Sequence, residues 1–150
     1  MLKGELSSEV LPRVYIVFEG LVGVLPDTKS RALEALHRKR KNWDKAVNQY
    51  DLSEATKQGL RDVYWRYHYR VDVLTFYGRD FADAVRDRLD TANLLFGDVV
   101  AYDLQELQYE LTYDRSILAV LDPDPAHVLS YGSKGRTVSP GQLNLMAIIQ

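Results

Sequence analysis

Apolar residues in this chain gather in short unbroken runs, and between the runs they recur every three or four positions. The runs predict strands and the recurrences predict helices. Val14 to Phe18 (VYIVF) is the first run, β-branched and aromatic, and it closes at the turn-prone pair Glu19-Gly20. After Pro26, Asp27 is placed to cap a helix, and Leu33, Leu36, Trp43, Val47 and Tyr50 follow at helical spacing. That pattern predicts one long amphipathic helix over 27–50. Ser53 opens a second helix with Leu60, Val63, Tyr64 and Tyr67 on one face.

Val71 to Tyr77 (VDVLTFY) reads as a second strand halted by Gly78, and 79–91 as a surface helix with Phe81, Val85 and Leu89 four apart. Gly97 to Tyr102 is a third strand. Asp103 and Glu106 then have the spacing of a capping box ahead of Leu104, Leu107 and Leu111. Ile117 to Leu121 (ILAVL) is the fourth strand and the most continuously apolar. Asp124-Pro125 supplies an N-cap and a first-turn proline, Gly132 the glycine beyond the helix end, and Arg136 to Val138 a short fifth strand.

Unbroken apolar strands alternating with helices predict a parallel sheet covered on both faces. The expected fold is α/β, a three-layer Rossmann-like sandwich with a five-stranded parallel sheet. A helical insertion of about residues 26–68 follows the first strand, and 139–150 form a tail. Residues 1–150 read as a single domain.

Composition narrows the chemistry. Apolar residues make up 46% and charged residues 27%, which suits a packed domain rather than a disordered one. No cysteine is present, so disulfides, thiolate nucleophiles and cysteine-bound zinc are excluded. No apolar run approaches a membrane span and the N-terminus lacks a signal-peptide core, so the expectation is a cytoplasmic protein without a membrane partner. The formal charge of −2 argues against a generally basic nucleic-acid binder. Charge is unevenly spread, however. Residues 27–50 carry seven Lys or Arg against three acids, with Arg38, Lys39, Arg40 and Lys41 in one block; residues 79–124 carry four Arg against eleven acids. Opposite-signed surfaces favour a partner protein or head-to-tail packing of copies, with nucleic-acid phosphate as a lesser partner for the basic block.

In open parallel sheets, ligands bind outside the carboxyl ends of the strands. Here those ends bring Glu19-Gly20, Thr75 and Asp122-Pro123-Asp124 together. No glycine-rich phosphate loop occurs among them. The residues resemble the motifs of the haloacid dehalogenase (HAD) superfamily of phosphohydrolases. Val14 to Val22 (VYIVFEGLV) is similar to the family's D-x-D-G-[TV] strand, Val73-Leu74-Thr75 to its second motif and Ile117 to Asp124 (ILAVLDPD) to its acidic fourth motif. The likeness spans roughly residues 12–139 and rests mainly on pattern and strand order.

The resemblance implies a Mg²⁺-dependent phosphatase site, and the departures from it take that chemistry away. The nucleophilic aspartate would fall at Val17 and the acid–base aspartate at Glu19. Arg115 is the cation next to the fourth strand, where the family carries Lys or Arg, and Asp122 with Asp124 would offer part of a Mg²⁺ shell. Valine neither attacks phosphorus nor binds metal, and loss of a nucleophile costs orders of magnitude in rate. Glu19, Thr75 and Arg115 therefore read as vestigial. The expected function is that of a catalytically inactive HAD-like module without a required cofactor, acting in protein interaction or assembly. A bacterial or phage structural or accessory protein would suit it, in the cytoplasm or, if phage-encoded, the virion. A weak Mg²⁺-dependent phosphohydrolase and a non-catalytic nucleotide or nucleic-acid binder are the alternatives. Tyr64, Trp65 and Tyr69, with Arg38 to Lys41, are the candidate interaction residues, because Tyr, Trp and Arg are enriched at interfaces.

Overall fold

The computed structural model describes residues 12–63, 70–94 and 96–140. Tyr64, Trp65 and Tyr69, and the apolar stretch 143–149, lie outside the described residues.

Five parallel strands form the central sheet: β1 (Arg13–Val17), β4 (Arg70–Thr75), β5 (Val99–Ala101), β6 (Ile117–Asp122) and β7 (Gly135–Thr137), in the order β5-β4-β1-β6-β7. Helices α1 (Thr28–Lys39), α2 (Trp43–Val47), α3 (Glu54–Asp62), α4 (Arg79–Thr91), α5 (Leu104–Tyr113) and α6 (Pro125–Leu129) connect them. The expected α/β class and five-stranded parallel sheet are present.

Side chains alternate across each strand, so β1 feeds two cores. Val14, Ile16 and Phe18 pack with Val47, Tyr50 and Leu60 of the insertion and with Phe81, Val85 and Leu89 of α4. Tyr15 and Val17 face the opposite way, into Leu74, Leu107, Leu111, Val120 and Tyr131. Both faces are thereby closed, which is why β1 and β6 carry nearly unbroken apolar runs.

Local signals set the helix starts. Asp27 accepts from the Ser30 amide at 2.7 Å and Ser53 from that of Thr56 at 3.2 Å. Asp103 and Glu106 close a reciprocal capping box. Asp124 accepts from Ala126 ahead of Pro125.

Three expectations need correction. The predicted helix over 27–50 is two helices, broken at Arg40–Asn42, where Lys41 takes a left-handed φ of 61°. No apolar side chain follows Leu36 until Trp43, and the break re-aims Ala46, Val47 and Tyr50 into the core. Leu36 itself is exposed. Second, the insertion is bracketed by a two-residue antiparallel ladder, β2 (Gly23–Val24) with β3 (Asp51–Leu52), too short to leave a periodic signature. Third, α6 is capped by Ser130, and Gly132 comes two residues later at the start of a 3₁₀ turn, with φ 61°.

Candidate functional site

The chain leaves β1 for β4 and β5 on one side, then crosses to β6 on the other, so the topological switch point lies between β1 and β6. Glu19 follows β1, and Asp122 ends β6. Gly20 makes the turn after Glu19, its amide donating to the Gly23 carbonyl at 2.8 Å. Its φ of 91° suits glycine, and a Cβ there would stand 3.1 Å from the Pro123 ring.

Glu19 points back across the strand ends. Its Oε2 accepts from the Phe76 amide at 3.2 Å, while Oε1 is buried with no hydrogen-bond partner among the described residues. Burial pushes its carboxyl up to about 7, the charge of Asp122 adds to the rise, and the nearby Thr75 hydroxyl and the Phe76 amide oppose it. Thr75 is fully buried, and its Oγ1 accepts from the Tyr77 amide at 3.1 Å.

Asp122 is buried and heavily engaged. Oδ1 accepts from the Asp124 amide at 2.9 Å. Oδ2 accepts from the Tyr131 hydroxyl at 2.6 Å and lies 3.2 Å from His127 Nδ1. A proton on Nδ1 donates to that carboxylate and leaves Nε2 facing outward, 3.7 Å from Asp124 Oδ2. The His127 ring rests against Phe76, centroids 5.1 Å apart. Burial and the adjacent Asp122 carboxylate both hold the Tyr131 hydroxyl in its neutral, donating form.

A second polar cluster lies beside Tyr77, just beyond the end of β4. Glu34, buried on α1, accepts from Tyr50 Oη at 2.8 Å and from Arg38 Nε at 3.1 Å. The Arg38 guanidinium lies 4.0 Å above the Tyr77 ring. Arg38 thus ties α1 to the strand-end loop instead of standing free in a basic block. Lys39, Arg40 and Lys41 are exposed at and beyond the helix end.

Of the residues that sequence reasoning placed here, Glu19, Thr75 and Asp122 do converge. Arg115 does not. It is exposed in the turn before β6, at the amino end of a six-residue strand, about 20 Å from the crevice at ~3.3 Å per residue. Lys134 also points away, donating to the carbonyls of Leu111 and Asp114. His127, Tyr131, Phe76 and Glu34 were missed. The first two had a signal: a carboxylate at a strand end, with a histidine in the first turn of the next helix and a tyrosine four residues later.

The donor set does not fit Mg²⁺. Val17 is 2% exposed in an apolar cluster and offers no oxygen. Both donors on Asp122 Oδ2 come from the protein, and Asp124 Oδ1 is committed to its helix cap. Among the described residues no group of three or more His, Asp or Glu is arranged to hold a metal ion. Among the described residues no helix is long and apolar enough to cross a membrane. No protein-family model, curated protein or solved structure matches the chain.

The sign of the Glu19 effect is testable. Its ordinary value of 4.5 applies to the unfolded chain, and the folded value is near 7. The folded state therefore holds the proton more tightly. The associated stability is full below about pH 4.5 and is lost as pH rises through 7. Glu19→Gln does not titrate, so it should be more stable than the parent by about 2 kcal/mol at pH 8, a figure discounted for the residue's partial exposure. The gap should close at pH 4.5. Urea unfolding at the two pH values checks this; an advantage of equal size at both would remove burial of the charge as the cause.

Proposed function

We propose that this chain is a HAD-like domain that has lost phosphoryl-transfer chemistry and acts through protein interaction or assembly. The observation that carries the reading is the crevice itself. Val17 stands where the family's nucleophile would be, buried among Tyr15, Leu74 and Val120, and the acid that ends β6 is engaged by three internal groups. The central strand order and the placement of Glu19, Thr75 and Asp122 at the switch point support descent from a ligand-binding crevice. A phosphate ester entering it would meet Glu19, Asp122 and Asp124 without Arg115 or Lys134 to balance its charge.

An interaction role is supported by what the surface presents. Tyr109 and Tyr113 lie side by side on α5 with ring centroids 4.6 Å apart and planes tilted by 48°, both largely exposed, and Leu129 is 85% exposed. Exposed aromatic and apolar side chains of this size are what protein interfaces recruit.

Two measurements test the reading together. Size exclusion with light scattering on untagged protein purified from its own source should give a discrete complex or homo-oligomer. Hydrolysis of p-nitrophenyl phosphate with Mg²⁺ should not exceed the buffer rate. A monomer of about 17 kDa that hydrolyses the ester, and loses that activity in Asp122→Asn, would establish the phosphohydrolase instead.

A further inference from the structure

Among the described residues, α1 is the only helix of eight or more residues without a buried apolar side chain. Its one buried residue is the carboxylate Glu34. Ala32, Ala35 and Leu36 are exposed, and Leu33 joins neither apolar core. A helix of about 12 residues is marginal in water, and packing of an apolar face normally supplies what it lacks. Polar ties hold α1 instead. Glu34 accepts from Tyr50 Oη at 2.8 Å, and the Arg38 guanidinium covers the Tyr77 ring. The Arg38–Glu34 pair is internal to the helix and travels with it. His37 Nδ1 is buried without a hydrogen-bond partner among the described residues, a desolvation cost that exists only while α1 is docked.

The segments on either side are held differently. Before α1, Val24 pairs with Asp51 in the β2–β3 ladder. After it, Ala46 and Val47 of α2 lie in the core, and Arg88 of α4 donates to the carbonyls of Val47 and Tyr50 at 2.9 and 3.0 Å. Between these fixed points and α1 lie Pro26-Asp27 and the Arg40–Asn42 break, where Lys41 is left-handed. Element ends of this kind absorb the backbone change of a hinge. We propose that α1 is a detachable helix. It leaves the strand-end loop as one unit by breaking the Glu34–Tyr50 and Arg38–Tyr77 contacts, while both apolar cores stay closed. Release opens the Tyr50 hydroxyl and the Tyr77 ring, just beyond the end of β4, to an outside molecule. The motion follows from how α1 is held, whatever the strand ends bind.

Amide hydrogen exchange tests it, read for Leu33 to Arg38 of α1 against Phe81 to Leu89 of α4. The α1 amides should exchange at least about a hundredfold faster, with one common opening constant, and their rates should stay flat in urea below the unfolding transition. Tyr50→Phe lies off the helix and removes one tie, so it should multiply all the α1 rates by one factor of about ten. Tyr77→Leu should do the same by about threefold through Arg38, and serves if Tyr50→Phe does not fold. Equal protection and equal urea dependence in α1 and α4 would show that α1 opens only with the whole domain, and would overturn the proposal. So would rates graded inward from the helix ends and indifferent to Tyr50→Phe, the pattern of fraying. Exchange of α1 at the free-peptide rate would overturn it as well, since the helix would never be docked.

Discussion

Asp122→Ala is expected to lower stability by about 3 kcal/mol, near 10 °C in melting temperature for a chain of this length. The carboxylate accepts from the Tyr131 hydroxyl and the Asp124 amide and orients His127, and it does so from a buried position. Truncation leaves the Tyr131 hydroxyl buried without an acceptor, and that desolvation cost is the largest part of the effect. Asp122→Asn should cost less, because its amide oxygen still accepts from Asp124. Tyr131→Phe added to Asp122→Ala removes the orphaned hydroxyl. The double variant should therefore be more stable than the sum of the two single losses predicts. Urea unfolding of the four proteins measures this coupling. Strict additivity would show that Asp122 is not held by Tyr131, and would leave its oxygens open to other partners.

The same network shows where the sequence was legible and where it was not. Strand positions announced themselves because strands covered on both faces are largely apolar, as Val14 to Val17 are, each of them buried. Caps were legible because their chemistry is local: Asp27, Ser53, Asp103 and Asp124 each bind an amide two or three residues on. Glu19, Thr75 and Asp122 could be placed together because a parallel sheet collects its strand ends at one edge. Arg115 failed for the same reason, since a residue that precedes a strand lies at the other edge.

Polar partnerships at longer range left no periodic trace. Glu34 occupies an inward position of α1, and its partner Tyr50 is sixteen residues away across the helix break. Until Tyr50 and Arg38 are brought to it, nothing marks Glu34 as buried. The charge segregation was also legible as composition but not as geometry. Where the two segments meet, Lys41 and Lys45 share a groove with Asp44, Asp80, Asp83 and Asp87 because α2 packs beside α4.

Val17→Asp is expected to have the largest effect of any single substitution considered, a loss of about 4 kcal/mol or more at pH 7. Val17 is 2% exposed between Tyr15, Leu74 and Val120, where a carboxylate would gain no cation. Two costs add: the apolar burial of the valine is lost, and the new acid must stay protonated or drag water into the core. With total stabilities of about 5–15 kcal/mol usual for domains, a loss of that size removes from about a quarter to most of the margin. The variant also interrogates the crevice directly. A site still shaped for Mg²⁺ would use the new carboxylate as a ligand, so millimolar Mg²⁺ would raise the melting temperature of Val17→Asp while leaving the parent unchanged. The expected result is no such rescue, because the neighbouring acid Asp122 is already bound by Tyr131, His127 and the Asp124 amide. Rescue by Mg²⁺ together with turnover of p-nitrophenyl phosphate would show instead that one side chain separates this domain from a working phosphatase. The absence of both would show that a carboxylate at position 17 does not by itself create a Mg²⁺ site in this crevice.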